Sequence, residues 1–81
     1  MEHLTQMPEE GTRVLIRVNV YDNATDECAD VIGTKFVEAT VTRAWGNGRY
    51  ASVRTEPYAA RLLGAFISRT FTRNYSDLYE I

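Results

Sequence analysis

Eighty-one residues make one domain with one core, and a chain this short buries only about 60% of its unfolded surface, so its stability is small. A composition of 44% hydrophobic and 25% charged residues is ordinary for a globular fold. A net charge of −2 and a pI near 5.3 supply little of the long-range phosphate attraction on which nucleic-acid binders rely.

The small net charge hides a split. Residues 1–40 carry the carboxylates Glu2, Glu9, Glu10, Asp22, Asp26, Glu27, Asp30 and Glu38 against Arg13, Arg17 and Lys35. Residues 41–81 carry Arg43, Arg49, Arg54, Arg61, Arg69 and Arg73 against Glu56, Asp77 and Glu80. In this half the arginines interleave with Trp45, Tyr50, Tyr58, Phe66, Phe71, Tyr75 and Tyr79. Arginine is a planar, bidentate, stackable cation, so the pattern suits fixed contacts better than diffuse attraction.

In chain order, residues 1–11 are polar, end in Pro-Glu-Glu-Gly, and read as a flexible leader to a compact domain over 12–81. Met1 to Met7 has neither a basic nor an apolar signal-peptide region, and no apolar run approaches the ~20 residues that span a bilayer. The expected location is cytoplasmic. Thr12 to Tyr21 alternates Val14, Ile16, Val18 and Val20 with polar or bulky residues, the period of a half-buried strand. Asp22 to Asp30 reads as a solvated acidic loop. It lacks the glycine and terminal glutamate of a calcium-binding loop. Cys28 sits among its carboxylates, which oppose thiolate formation and hence nucleophilic chemistry there.

Lys35 to Trp45 and Arg49 to Thr55 read as a hairpin around Gly46-Asn47-Gly48. A three-residue loop with Gly48 left-handed pairs Val41 with Val53 and Ala39 with Thr55, gathering the apolar side chains on one face. The same register sets Trp45 opposite Arg49. Thr55-Glu56-Pro57 then resembles a helix start, and Ala59, Leu62, Leu63, Phe66 and Ile67 follow at helical spacing. The expected fold is therefore α+β: a three- to four-stranded antiparallel sheet with one helix, residues 57–69, packed on one face. The alternative makes Phe66 to Arg73 a strand and the fold a small five-stranded β-barrel of the SH3 or Tudor sort. Asn74 to Ile81 is expected to close the chain as a short edge strand carrying Leu78 and Ile81 into the core.

Catalytic constellations are missing from the sequence. His3 is the single histidine, and with Cys28 it falls short of a nucleophile–base pair, a zinc set or a cofactor site. The expectation is a non-enzymatic domain with no metal and no cofactor. Its second sheet face would carry Arg13, Arg17, Tyr21, Tyr50 and Arg54, with Arg69 and Arg73 nearby. Arginine and tyrosine dominate binding hot spots, so these seven residues are the candidate contact set for a protein partner. The expected function is that of a stoichiometric adaptor or inhibitor, for which a phage or mobile-element protein blocking a host complex fits the length. The alternative is a single-stranded RNA or DNA binder that stacks bases on its aromatic residues. Homodimerisation through the open face or an edge strand is a further possibility. The bland counter-reading makes Phe71 core and pairs the arginines of the second half with the acids of the first.

Overall fold

The computed structural model describes residues 2–22, 30–45, 47–61 and 64–81. Most of the acidic loop, with Cys28, and Leu62 and Leu63 of the expected helix lie outside the described residues. Five strands form one antiparallel sheet: β1 (Arg13–Tyr21), β2 (Val31–Trp45), β3 (Tyr50–Thr55), β4 (Thr70–Asn74) and β5 (Leu78–Tyr79). Their spatial order is β4-β3-β2-β1-β5.

The α+β expectation is overturned. Among the described residues the one helical element is a 3₁₀ turn, Tyr75–Asp77, and no helix occupies 57–69. Tertiary hydrogen bonds take the backbone groups a helix would have used. Tyr58 and Ile67 exchange N–H···O bonds of 3.0 and 3.1 Å, the Gly64 N–H donates to Arg61 at 2.9 Å, and the Tyr21 N–H donates to Ala60 at 2.8 Å. Thr55, read as a helix cap, is buried instead, and its hydroxyl accepts from the Arg69 N–H at 2.9 Å. The helical stripe is not the buried set either: Phe66 is 73% exposed, whereas Tyr58 and Ala60 enter the core. A helix here also had to overcome Gly64 and a costly nucleus, which a weak stripe does not offset.

The five-stranded alternative is compatible with this sheet. In a flat arrangement β4 and β5 would lie four spacings apart, about 19 Å. A 3₁₀ turn advances about 2 Å per residue, so the connection from Asn74 to Leu78 covers less than half of that distance. The sheet must therefore curl until its two ends approach one another. Inside the curl lies the core of Val14, Ile16, Val18, Val37, Ala39, Val41, Ala51, Val53 and Leu78. Val20, expected with them, is half-buried. Leu78 is fully buried but Ile81 is 65% exposed, so the last strand delivers one of its two expected core residues.

The hairpin register holds as far as Val41 and then slips. Ala39 faces Thr55 and Val41 faces Val53, but an irregularity between Val41 and Arg43 shifts the rest, and Trp45 pairs with Tyr50 rather than Arg49. Gly48 is left-handed at φ 78°, as the turn requires. At the other end of the chain, the Leu4 N–H donates to Leu78 at 2.7 Å, and Leu4 and Met7 pack against the core.

Candidate anion-binding cleft

The curl leaves a cleft between the second half of β1, strand β4 and the segment 58–61. Its volume is about 180 Å³, and Arg17, Arg61, Arg69 and Arg73 line it together with Tyr21 and Tyr58. Asn19 and Phe71 complete the polar and apolar walls, and no carboxylate stands among the described lining residues. A hollow of similar volume adjoins it and shares Arg17 and Arg73 with Asp77 and Tyr79.

Each cation reaches this cleft for a local reason. Arg17 lies on the strand face opposite Ile16 and Val18, and its guanidinium carbon sits 5.3 Å from the centre of the Phe36 ring. Phe36 is in turn met edge-on by Tyr79 at 5.1 Å. Arg73 and Phe71 alternate with Thr72 along β4, and Arg73 sits 4.6 Å over Phe71. Arg61 lies 5.5 Å over Tyr21 and also makes an interaction outside this set. The Arg69 backbone is held by two bonds to Thr55, one to its N–H and one to its hydroxyl, and the Arg69 charge acts on the Tyr58 phenol. A guanidinium whose face rests on a ring can turn its N–H edge toward a carboxylate or phosphate, and one N–H of Arg73 donates to the Thr72 carbonyl at 3.1 Å. The rings thus orient the donors.

Tyr58 forms the floor at 4% exposure, with Lys35 placed 5.4 Å over its ring. Burial raises the pKa of its phenol above the ordinary tyrosine value, partly offset by the positive charges of Arg69 and Arg73. The floor is therefore neutral at physiological pH and adds no negative charge to the site.

Four of the seven candidate residues, Arg17, Tyr21, Arg69 and Arg73, meet in this cleft. The other three do not. Arg13 pairs with Glu38 at 3.3 Å and with Glu56 at 3.2 Å on the surface, contacts worth about 0–1 kcal/mol. Tyr50 closes the hairpin opposite Trp45, and Arg54 projects outward between Thr40 and Thr70. The counter-reading is half met: Phe71 does pack against the core. Yet Arg69 and Arg73 have no carboxylate within ion-pair distance among the described residues. Sequence reasoning missed Arg61 and Tyr58 because it placed both on a helix. Asn19 gave no signal beyond its place on β1.

Among the described residues no group of three His, Cys, Asp or Glu side chains lies close enough to hold a metal, and no helix is long and apolar enough to cross a membrane. Comparison with protein-family models, with curated proteins and with solved structures finds no match.

Proposed function

We propose that this protein is a non-enzymatic binding domain, a stoichiometric adaptor or inhibitor, that grips an acidic part of a protein partner in the arginine cleft. The observation that carries this reading is the gathering of four arginines around one concavity whose described lining holds no carboxylate. Like charges brought together repel one another, and an arriving anion relieves that repulsion while gaining charge-assisted hydrogen bonds.

Size and charge favour a protein partner over a nucleic acid. A cleft of about 180 Å³ lies below the ~300–1,000 Å³ of small-molecule pockets, so it suits a few side chains of a larger partner. Phe36, Phe71 and Tyr21 each carry one of the protein's own guanidinium groups on a ring face, which leaves fewer faces for stacked bases. The net charge of −2 also opposes phosphate chains beyond the cleft itself.

The test is an affinity pull-down from the native host lysate, run with and without nuclease. A single protein retained stoichiometrically after nuclease supports the reading. Loss of all bound material after nuclease contradicts it and favours the single-stranded nucleic-acid alternative.

A further inference from the structure

We infer that the anion taken by the cleft is a phosphoryl group on a serine or threonine side chain of the partner, held between Arg69, Arg73 and Tyr58. The inference rests on the protein-binding reading above and names the chemistry of the group that binds.

The β3–β4 ladder sets Phe71 opposite Val53 and Arg73 opposite Ala51, and the 2.8 Å bond from the Thr55 N–H to Arg69 carries the same register one step further. Residues opposite one another share a face, as do residues two apart on a strand. Ala51, Val53 and Thr55 are all buried. Arg69, Phe71 and Arg73 therefore stand in a row on the inner face of the sheet. Four residues separate the two arginines by about 13 Å along the strand. Arg73 narrows that gap, because its guanidinium leans back onto the intervening Phe71 ring at 4.6 Å. The Tyr58 phenol lies at the floor of the cleft and feels the charge of both arginines. Neither arginine has a carboxylate within ion-pair distance among the described residues.

Charge and shape then select the ligand. Arg69 and Arg73 are permanently cationic, and one carboxylate neutralises only one of them. A phosphorylated serine or threonine carries about −1.5 to −2 charge at pH 7 and three acceptor oxygens. Those oxygens match three donors from three points of the chain: two guanidinium groups and the neutral Tyr58 hydroxyl. A carboxylate offers two oxygens in one plane. Phosphotyrosine is the poorer match, because the three rings of the cleft, Tyr21, Tyr58 and Phe71, each already carry a cation on a face.

The experiment titrates three capped hexapeptides into the ¹⁵N-labelled full chain, each of glycine and alanine around one phosphoserine, glutamate or serine. The phosphoserine peptide should shift the amide resonances of Tyr58 and of Arg69–Arg73. It should bind at least about tenfold more tightly than the glutamate peptide, and inorganic phosphate should compete with it. Its affinity should fall toward that of the glutamate peptide from about pH 7.5 to about pH 5.5, as the monoester loses its second charge. Arg73→Leu should weaken the phosphoserine peptide by at least about tenfold.

Equal binding of the phosphoserine and glutamate peptides overturns the phosphoryl group and leaves the acid-binding reading in place. Tighter binding of single-stranded oligothymidylate than of either peptide overturns both. Binding of vesicles that carry phosphatidic acid, without binding of the phosphopeptide, assigns the cleft to lipid and overturns the inference. Failure of every probe to bind overturns it too, and the pull-down then decides the protein-binding reading on its own. The peptide comparison uses the unmutated chain, so it holds whether or not Arg73→Leu folds.

Discussion

Arg73 sits opposite Ala51 across the β3–β4 ladder, and its guanidinium carbon lies 4.6 Å from the centre of the Phe71 ring. Residues opposite one another in an antiparallel ladder share a face, and Ala51 is fully buried. An arginine thus occupies the core side of the sheet, at the place where the curl is left open. Its aliphatic stem covers apolar surface while its charged head reaches the cleft. A purely structural account has no need of a cation here, because a leucine would fill the same position more cheaply.

Replacing Arg73 separates stability from binding. Loss of one ring-stacked cation costs about 0.5–1 kcal/mol, or about 2–8 °C in Tm for a chain of this length. Arg73→Leu is therefore expected to stay folded, with any thermal shift confined to that range, and to lose the acidic partner. Circular dichroism melts alongside pull-down measure both. Arg73→Lys should bind less well than wild type, because lysine keeps the charge but not the stacked planar fork.

Thr55 anchors the cleft from below. Its N–H donates to the Arg69 carbonyl at 2.8 Å, and its buried hydroxyl accepts from the Arg69 N–H at 2.9 Å. Thr55→Val preserves the shape but leaves that N–H unsatisfied, at a cost of about 1–3 kcal/mol. Urea denaturation should show this loss. Thr55→Ser should recover most of it, since the accepting oxygen remains.

Leu78 and Ile81 test the closure of the sheet. Leu78→Ala removes a fully buried side chain from the two-residue strand β5 and should cost about 2–5 kcal/mol, a large share of the ~5–15 kcal/mol that a domain possesses. Ile81→Ala should change stability by no more than about 0.5 kcal/mol. Equal effects at the two positions would contradict the placement of the C-terminal residues.

Tyr58 links stability to alkaline pH. Its phenol has a raised pKa in the folded chain, chiefly through burial. The folded state therefore holds this proton at a pH where the unfolded chain has released it. The resulting stabilisation is complete below the ordinary tyrosine pKa of about 10 and disappears as pH rises through the folded value. Urea midpoints recorded from pH 8 upward should fall above about pH 10, and the fall should be shallower in Tyr58→Phe.

Period-two alternation made the core of β1 legible, and the hydrophobic match of Val41 with Val53 fixed the hairpin register near its base. The tip was not legible, because the irregularity after Val41 carries no residue signature at Thr42. Nor was the segment from Pro57 to Arg69. Its apolar spacing fits a helix, and the bonds that draw it out come from Thr55, Tyr21 and its own other end, all invisible to a local reading. The cleft was half legible. Arg17 and Tyr21 follow from strand alternation, and Arg69 and Arg73 from their local cluster. That the four meet depends on the curl of the sheet, which the 3₁₀ turn between β4 and β5 enforces.

The central claim is that the cleft is the contact site. It is tested most directly by nuclease-treated pull-downs that compare wild type with Arg17→Glu/Arg73→Glu, both shown to be folded by circular dichroism. The prediction is a protein retained stoichiometrically by wild type and absent from the charge-reversed variant. Retention of the same protein by both would contradict it and move the interface to another surface.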